Sequence, residues 1–116
     1  MNKMIVHSCV FYTADISRVK EFYTKVMNLK IERENEDYIS FLLDNDVRIG
    51  IKKGGTKERE IGGHGTVFIK VDKIDEFYRD MKSKEVGFYK DLTVQPWATS
   101  FSILDPDGNK IEFVDK

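Results

Sequence analysis

The chain has one cysteine, Cys9, so an intrachain disulfide is excluded, and that usage suits a reducing, cytoplasmic setting. Cys9 sits in an apolar, strand-like run, where packing is the expected role rather than nucleophilic chemistry. No apolar run is long enough to span a bilayer. Met1-Asn2-Lys3-Met4-Ile5-Val6 leads directly into the strand-like run and lacks the apolar core of a signal peptide. Charge of one sign is also missing: the formal net charge is −1, which gives no electrostatic case for nucleic acid or an anionic membrane. The glycine-rich stretch Gly54–Gly63 contains neither Gly-Lys-Ser/Thr nor Gly-x-Gly-x-x-Gly, so it is no nucleotide loop. There is no Ser-His-Asp order, His7 and His64 have no evident nucleophile to serve, and most Asp and Glu residues fall on helices and turns as solvated charge.

What the chain does have is the same module twice. His7-Ser8-Cys9-Val10-Phe11 is echoed by His64-Gly65-Thr66-Val67-Phe68 at an offset of 57. Each stretch reaches an Asp four residues after its Phe, Asp15 and Asp72, and then a Glu-Phe-Tyr, at Glu21-Phe22-Tyr23 and Glu76-Phe77-Tyr78. The second Glu-Phe-Tyr is offset by only 55, which places a small deletion at the start of the second helix. Two copies in 116 residues predict paired half-domains rather than a stacked array.

Strand-rich composition predicts a strand over Met4–Tyr12, followed by a helix capped by Asp15 or Ser17 and running to about Met27. Ile16, Val19, Lys20, Phe22, Tyr23 and Val26 place its apolar stripe at helical spacing, and Asn28 is the expected stop. Three strands follow, over Lys30–Glu34, Tyr38–Leu43 and Val47–Lys52, separated by Asn35-Glu36-Asp37 and Asp44-Asn45-Asp46. Residues 54–65 read as a glycine-rich linker. The second copy predicts a strand over Thr66–Val71, a helix from Asp72 to about Lys84, and strands over Gly87–Leu92, Trp97–Leu104 and Lys110–Val114. Asp105-Pro106-Asp107-Gly108-Asn109 is a strong turn between the last two. The plan is an α+β chain of two βαβββ modules, residues 1–53 and 66–116, with a helix on the outer face of each sheet.

This plan resembles the vicinal oxygen chelate superfamily, which includes glyoxalase I, extradiol dioxygenases and the bleomycin resistance proteins. Asp15-Ile16-Ser17-Arg18-Val19-Lys20-Glu21-Phe22-Tyr23-Thr24-Lys25-Val26-Met27-Asn28-Leu29 is similar to that family's first helix, with Val19 and Asn28 in place of the common Ser and Gly. Phe101 to Phe113, with Asp105-Pro106-Asp107-Gly108-Asn109-Lys110-Ile111-Glu112 inside it, is similar to the closing motif. The resemblance implies one domain whose modules form an open, cup-shaped curved sheet, and in enzymatic members a divalent metal (Zn, Ni, Fe or Mn) held inside by His, Glu or Gln. The family's ligand positions fall here on Ser8, Gly50, Thr66 and Glu112. Only Glu112 is of ligand type, and His7 and His64 lie one and two residues away from the expected places. No metal is therefore expected. A set of His7, His64 and Glu112, with His7 turned inward by a bulge, is the alternative. Otherwise His7 reads as a strand residue packed under the helix, and His64 as an exposed connector residue.

Parity places Arg48 and Lys52 on the same face as Gly50, and Lys70 on that of Thr66. Glu112, alternating with Ile111 and Phe113, is expected to face the cup and to pair with Arg48 or Lys70. Tyr38, Phe68, Trp97 and Phe101 lie on candidate cup strands, although Phe68 fits core packing equally well. Trp97, after Pro96 and near a rim, is the better placed to cap a pocket. Tyr38, Arg48, Lys52, Phe68, Lys70, Trp97, Phe101 and Glu112 are thus the candidate ligand-binding residues. They suit a small amphipathic or aromatic molecule with a negative charge. The resemblance implies a homodimeric small-molecule binder, or alternatively a metal-dependent lyase, isomerase or dioxygenase. A module that regulates a partner is a third reading.

Overall fold

The computed structural model describes residues 2–55 and 57–116, with every side chain among them except that of Arg59. Met1 and the linker residue Thr56 lie outside the described residues. The chain divides into two compact units, Met1–Gly62 and Gly63–Lys116. Each unit holds one copy of the repeat.

The first unit runs β1 (Ser8–Thr13), α1 (Ile16–Glu21), a π-helical turn (Phe22–Val26), β2 (Lys30–Glu34), β3 (Tyr38–Leu42) and β4 (Arg48–Lys53). Its sheet has the order β1-β4-β3-β2, with β1 parallel to β4 and the other pairs antiparallel. Asp15 caps α1 by accepting a hydrogen bond from the Arg18 amide at 3.3 Å. Asn28 ends the helical segment with a positive φ of 58°, in the left-handed region that asparagine tolerates. Leu29 then donates back to the Tyr23 carbonyl at 3.0 Å. The predicted strand over Met4–Tyr12 is corrected at its start. Pairing begins at Ser8, opposite Arg48, and Met4, Ile5 and Val6 are exposed. Among the described residues, strand propensity at residues 4–6 finds no neighbouring strand to pair with, because β4 starts at Arg48.

The second unit runs β5 (Thr66–Lys70), α2 (Ile74–Lys82), β6 (Phe88–Val94), β7 (Thr99–Leu104) and β8 (Lys110–Val114). Its sheet repeats the order as β5-β8-β7-β6, again with one parallel pair. Helix α2 starts at Ile74 rather than at Asp72. Its N-cap residue is Lys73, whose side chain makes no capping bond, and Asp75 and Glu76 supply negative charge to the first turn instead. Asp72, the counterpart of Asp15 in the repeat, therefore stands one residue ahead of the N-cap position. In the predicted turn, Gly108 has a φ of 93°. The Asp105 carboxylate accepts from the amides of Asp107 and Asn109 and from the Asn109 side chain, each at 2.9 Å. Asn109 in turn accepts from the Gly65 amide, which ties the turn to the entry of β5.

In both units one sheet face carries the helix and the core. Val19 and Tyr23 pack over Ile39, Phe41, Ile49 and Ile51 in the first unit, all buried. Phe101, Phe113, Ile103 and Ile111 fill the same role under α2. Each such side chain contributes roughly 1.5–3 kcal/mol by leaving water. The linker contains a short 3-10 turn, Glu58–Glu60, and its first residue is anchored by the Gly54 amide donating to the Thr13 carbonyl at 2.9 Å. A Cβ at Gly54 would collide with the Glu60 carbonyl oxygen, so that close approach requires glycine.

Candidate functional site

The helix-free face of each sheet collects the polar and charged side chains, and strand register shows how. In the second unit one rung crosses all four strands: Phe68 on β5, Glu112 on β8, Ser102 on β7 and Lys90 on β6. The equivalent rung of the first unit is Val10, Gly50, Ser40 and Arg33. A bulge lies at the same place in β2 and β6, between Ile31 and Arg33 and between Phe88 and Lys90, and β6 has a further register shift between Lys90 and Thr93. Each bulge reverses the side-chain alternation of its strand.

Glu112 is 8% exposed, as expected for a carboxylate on this face. Its partners differ from the expected Arg48 and Lys70. Lys90 Nζ donates to Glu112 Oε2 at 2.8 Å, and Lys110 Nζ is 3.5 Å from Oε1. Lys90 also donates to Ser100 Oγ at 2.8 Å. Burial alone would raise the Glu112 carboxyl; the Lys90 hydrogen bond and the charges of Lys90 and Lys110 outweigh it and hold the group below its ordinary range. Lys90 was invisible to a strict alternation count because the bulge beside it resets the parity. Arg48 is likewise occupied elsewhere. Its Nε donates to both oxygens of Glu32, at 2.8 and 2.7 Å, and Ser40 Oγ donates to Glu32 Oε1 at 3.2 Å. The Arg48 hydrogen bond is the main reason that the Glu32 carboxyl is held low. Glu32 stands at the bulge of β2, which is why counting residues missed it too.

Tyr38 lies over Gly50: a Cβ built at Gly50 would overlap the Tyr38 hydroxyl and come within 3.0 Å of the ring. The tyrosine thus fills the space that a side chain at position 50 would take. Phe68 and Trp97 are 62% and 70% exposed, so neither belongs to the core. Trp97 sits in the turn before β7, where Gln95 and Ala98 exchange backbone hydrogen bonds at 3.0 and 3.2 Å. Lys52 and Lys70 are exposed at the ends of their strands. Phe101 is corrected. It is fully buried on the helix-bearing face, with ring centroids 5.1–6.1 Å from Phe77, Tyr78, Phe88 and Phe113. It alternates with Ser100 and Ser102, and the pairing of Ser102 with Glu112 fixes which of the two sets faces the helix.

The donor positions suit a divalent metal poorly. Ser8, Gly50 and Thr66 offer no imidazole or carboxylate, and both oxygens of Glu112 are engaged by lysines. His7 precedes β1 and is exposed rather than packed under α1, with Nδ1 3.2 Å from Ser8 Oγ; His64 is exposed as well. Among the described residues, no three His, Cys, Asp or Glu side chains converge as ligands. Cys9 is half-buried, and burial raises its thiol. No helix of the described residues is long and apolar enough to cross a membrane.

A family model, the Glyoxalase/Bleomycin resistance protein/Dioxygenase superfamily, matches residues 5–113. No curated protein matches the sequence significantly. Among solved structures, TnmS3, an antibiotic binding protein from Streptomyces sp. CB03234, is similar at 16% identity with a TM-score of 0.87, covering 99% of this chain and 98% of that one. Lactoylglutathione lyase from Agrobacterium tumefaciens is similar at 17% identity with a TM-score of 0.82, covering 98% and 95%. TioX from Micromonospora sp. ML1 is similar at 16% identity with a TM-score of 0.79, covering 97% and 98%. At these identities the likeness establishes the fold.

Proposed function

The chain belongs to the Glyoxalase/Bleomycin resistance protein/Dioxygenase superfamily, and from that premise we propose that it binds a small amphipathic or aromatic molecule without metal chemistry. The observation that carries this reading is the substitution of the donor set. Where an enzymatic member would present ligands, this chain has Ser8, Gly50 and Thr66, and Tyr38 occupies the space above Gly50. The fourth position, Glu112, serves as the anion of a lysine-rich polar cluster.

Phe68 and Trp97 supply exposed ring surface for stacking, and Tyr38 adds a phenol. Arg48, Lys52 and Lys70 supply positive charge, with Arg48 already steadied by Glu32. The similarity to the antibiotic binding protein TnmS3 agrees with a binding role, and the similarity to a lactoylglutathione lyase agrees with the lyase alternative. The same reading takes the protein to be a cytoplasmic homodimer, a state that sedimentation of the purified protein checks.

Trp97 is the only tryptophan, so its fluorescence reports on ligands directly. Purified protein is dialysed against Ni, Zn, Mn and Fe, assayed for bound metal, and then titrated with planar aromatic compounds. The expected result is no stoichiometric metal, together with quenching of Trp97 and a raised melting temperature. Tight stoichiometric metal that disappears in Glu112→Ala and His64→Ala would overturn the proposal in favour of the lyase, isomerase or dioxygenase reading.

A further inference from the structure

One buried group on the second unit has no use in the resting structure. Ser102 is fully buried, and among the described residues its hydroxyl has no hydrogen-bond partner. It stands on β7 between Lys90 and Glu112, in register with both, so the Lys90–Glu112 bridge passes over it. A hydroxyl buried without a partner costs about 1–3 kcal/mol. The equivalent residue of the first unit, Ser40, is satisfied because it donates to the carboxylate of Glu32. At the position equivalent to Glu32 the second unit has Tyr89, whose ring lies 5.2 Å from Lys110 Nζ.

The charges beside Ser102 are also unbalanced. Two ammonium groups, Lys90 and Lys110, share the single carboxylate of Glu112, and both are partly open to solvent, with side chains 31% and 29% exposed. An ammonium carries three donors, and among the described residues Lys90 uses two of them, on Glu112 and Ser100. Phe68, next to Glu112 in the same rung, offers exposed ring surface.

We propose that Lys90 and Lys110, positioned by Ser102, form the anion-receiving part of the binding site, taking the carboxylate of a planar aromatic acid whose ring lies on Phe68. The inference rests on the small-molecule reading above and narrows its ligand class. The incoming carboxylate takes the free donor of Lys90 and draws Nζ away from Glu112. Ser102 then donates to Glu112 in its place, as Ser40 does to Glu32, so the buried carboxylate keeps a partner while the ligand gains a cation. Ser102 acts through Glu112 and Lys90 and is therefore a positioning residue.

The test compares 1-naphthoate with its neutral isostere 1-naphthamide, by Trp97 fluorescence and by amide chemical-shift mapping of residues 88–114. Wild-type protein is expected to bind naphthoate at least tenfold more tightly than naphthamide, with that preference falling as salt rises. Ser102→Ala is expected to fold normally and to weaken naphthoate about tenfold, the loss of one hydrogen bond to a charged group, with naphthamide unchanged. Ser40→Ala should change neither. Lys110→Gln, which leaves the Lys90–Glu112 bridge in place, is expected to lower the naphthoate preference independently. Equal affinity for the two probes, or naphthoate binding untouched by Ser102→Ala, would overturn the subsite while leaving small-molecule binding intact. Failure of both probes to bind would overturn the two together.

Discussion

The two units share topology, the register of a central rung and the position of one bulge, yet that rung carries Gly50 in the first unit where it carries Glu112 in the second. Val10, Gly50, Ser40 and Arg33 in the first unit stand where Phe68, Glu112, Ser102 and Lys90 stand in the second. Space has been exchanged within each face: a large Tyr38 lies over a side-chain-free Gly50, whereas a small Ser100 accompanies the long Glu112. Charge has been exchanged as well. Glu32 meets one cation, Arg48, whose Nε reaches both of its oxygens, but Glu112 is shared by two lysines. Duplication thus fixes the scaffold, while the helix-free faces diverge, because side chains there answer to one another and not to the core.

The comparison is sharpest on the helix-bearing side, where the units should behave alike. Phe41→Ala and Phe101→Ala each remove a fully buried ring and are each expected to cost about 3–5 kcal/mol in urea unfolding. A loss confined to one of them would show that the two cores are unequal. On the opposite face the units should differ. Gly50→Val forces a side chain into the Tyr38 ring and is expected to cost about 1–3 kcal/mol. Tyr38→Ala in the same chain should return much of that loss, and a double mutant no better than the sum would separate the two residues.

Lys90→Met leaves the Glu112 carboxylate in a closed setting with only the more distant Lys110, for a cost of about 1–3 kcal/mol by thermal unfolding. Glu32→Gln in the more open first unit should cost less, and a reversed order would break the comparison. The smallest effect is in acid. Both Glu32 and Glu112 have folded-state carboxyls held below the ordinary value, so their stabilisation is present above the unfolded carboxyl range, about pH 4.3, and is lost as pH falls through the lower folded values. Stability measured from pH 7 down should decline over that window, and Glu112→Gln should flatten the decline. An unchanged slope in that variant would remove Glu112 from the account.

Much of the frame could be read in the chain because it rests on local rules. Asp15 before an apolar period, Asn28 after it, and Asp105-Pro106-Asp107-Gly108-Asn109 all did in the structure what their chemistry predicts. The candidate site was legible only where alternation ran undisturbed. Glu112 came out on the helix-free face by parity alone, whereas Glu32 and Lys90 were hidden behind bulges that no composition signal marks. Phe101 was misplaced because a strand expected to begin at Trp97 gave no anchor for which alternate set faces the helix.

The sequence by itself determined the duplicated βαβββ order, the turns, and the family to which residues 5–113 belong, since hydrophobic period, capping and turn residues act over a few positions. Only the tertiary structure decided that Arg48 belongs to Glu32, that Glu112 belongs to Lys90 and Lys110, and that Ser102 is left with a buried hydroxyl and no partner among the described residues. Those outcomes depend on which strands lie side by side and on a one-residue slip at each bulge. A slip of that size turns a side chain from one face of the sheet to the other while leaving the local sequence pattern almost unchanged.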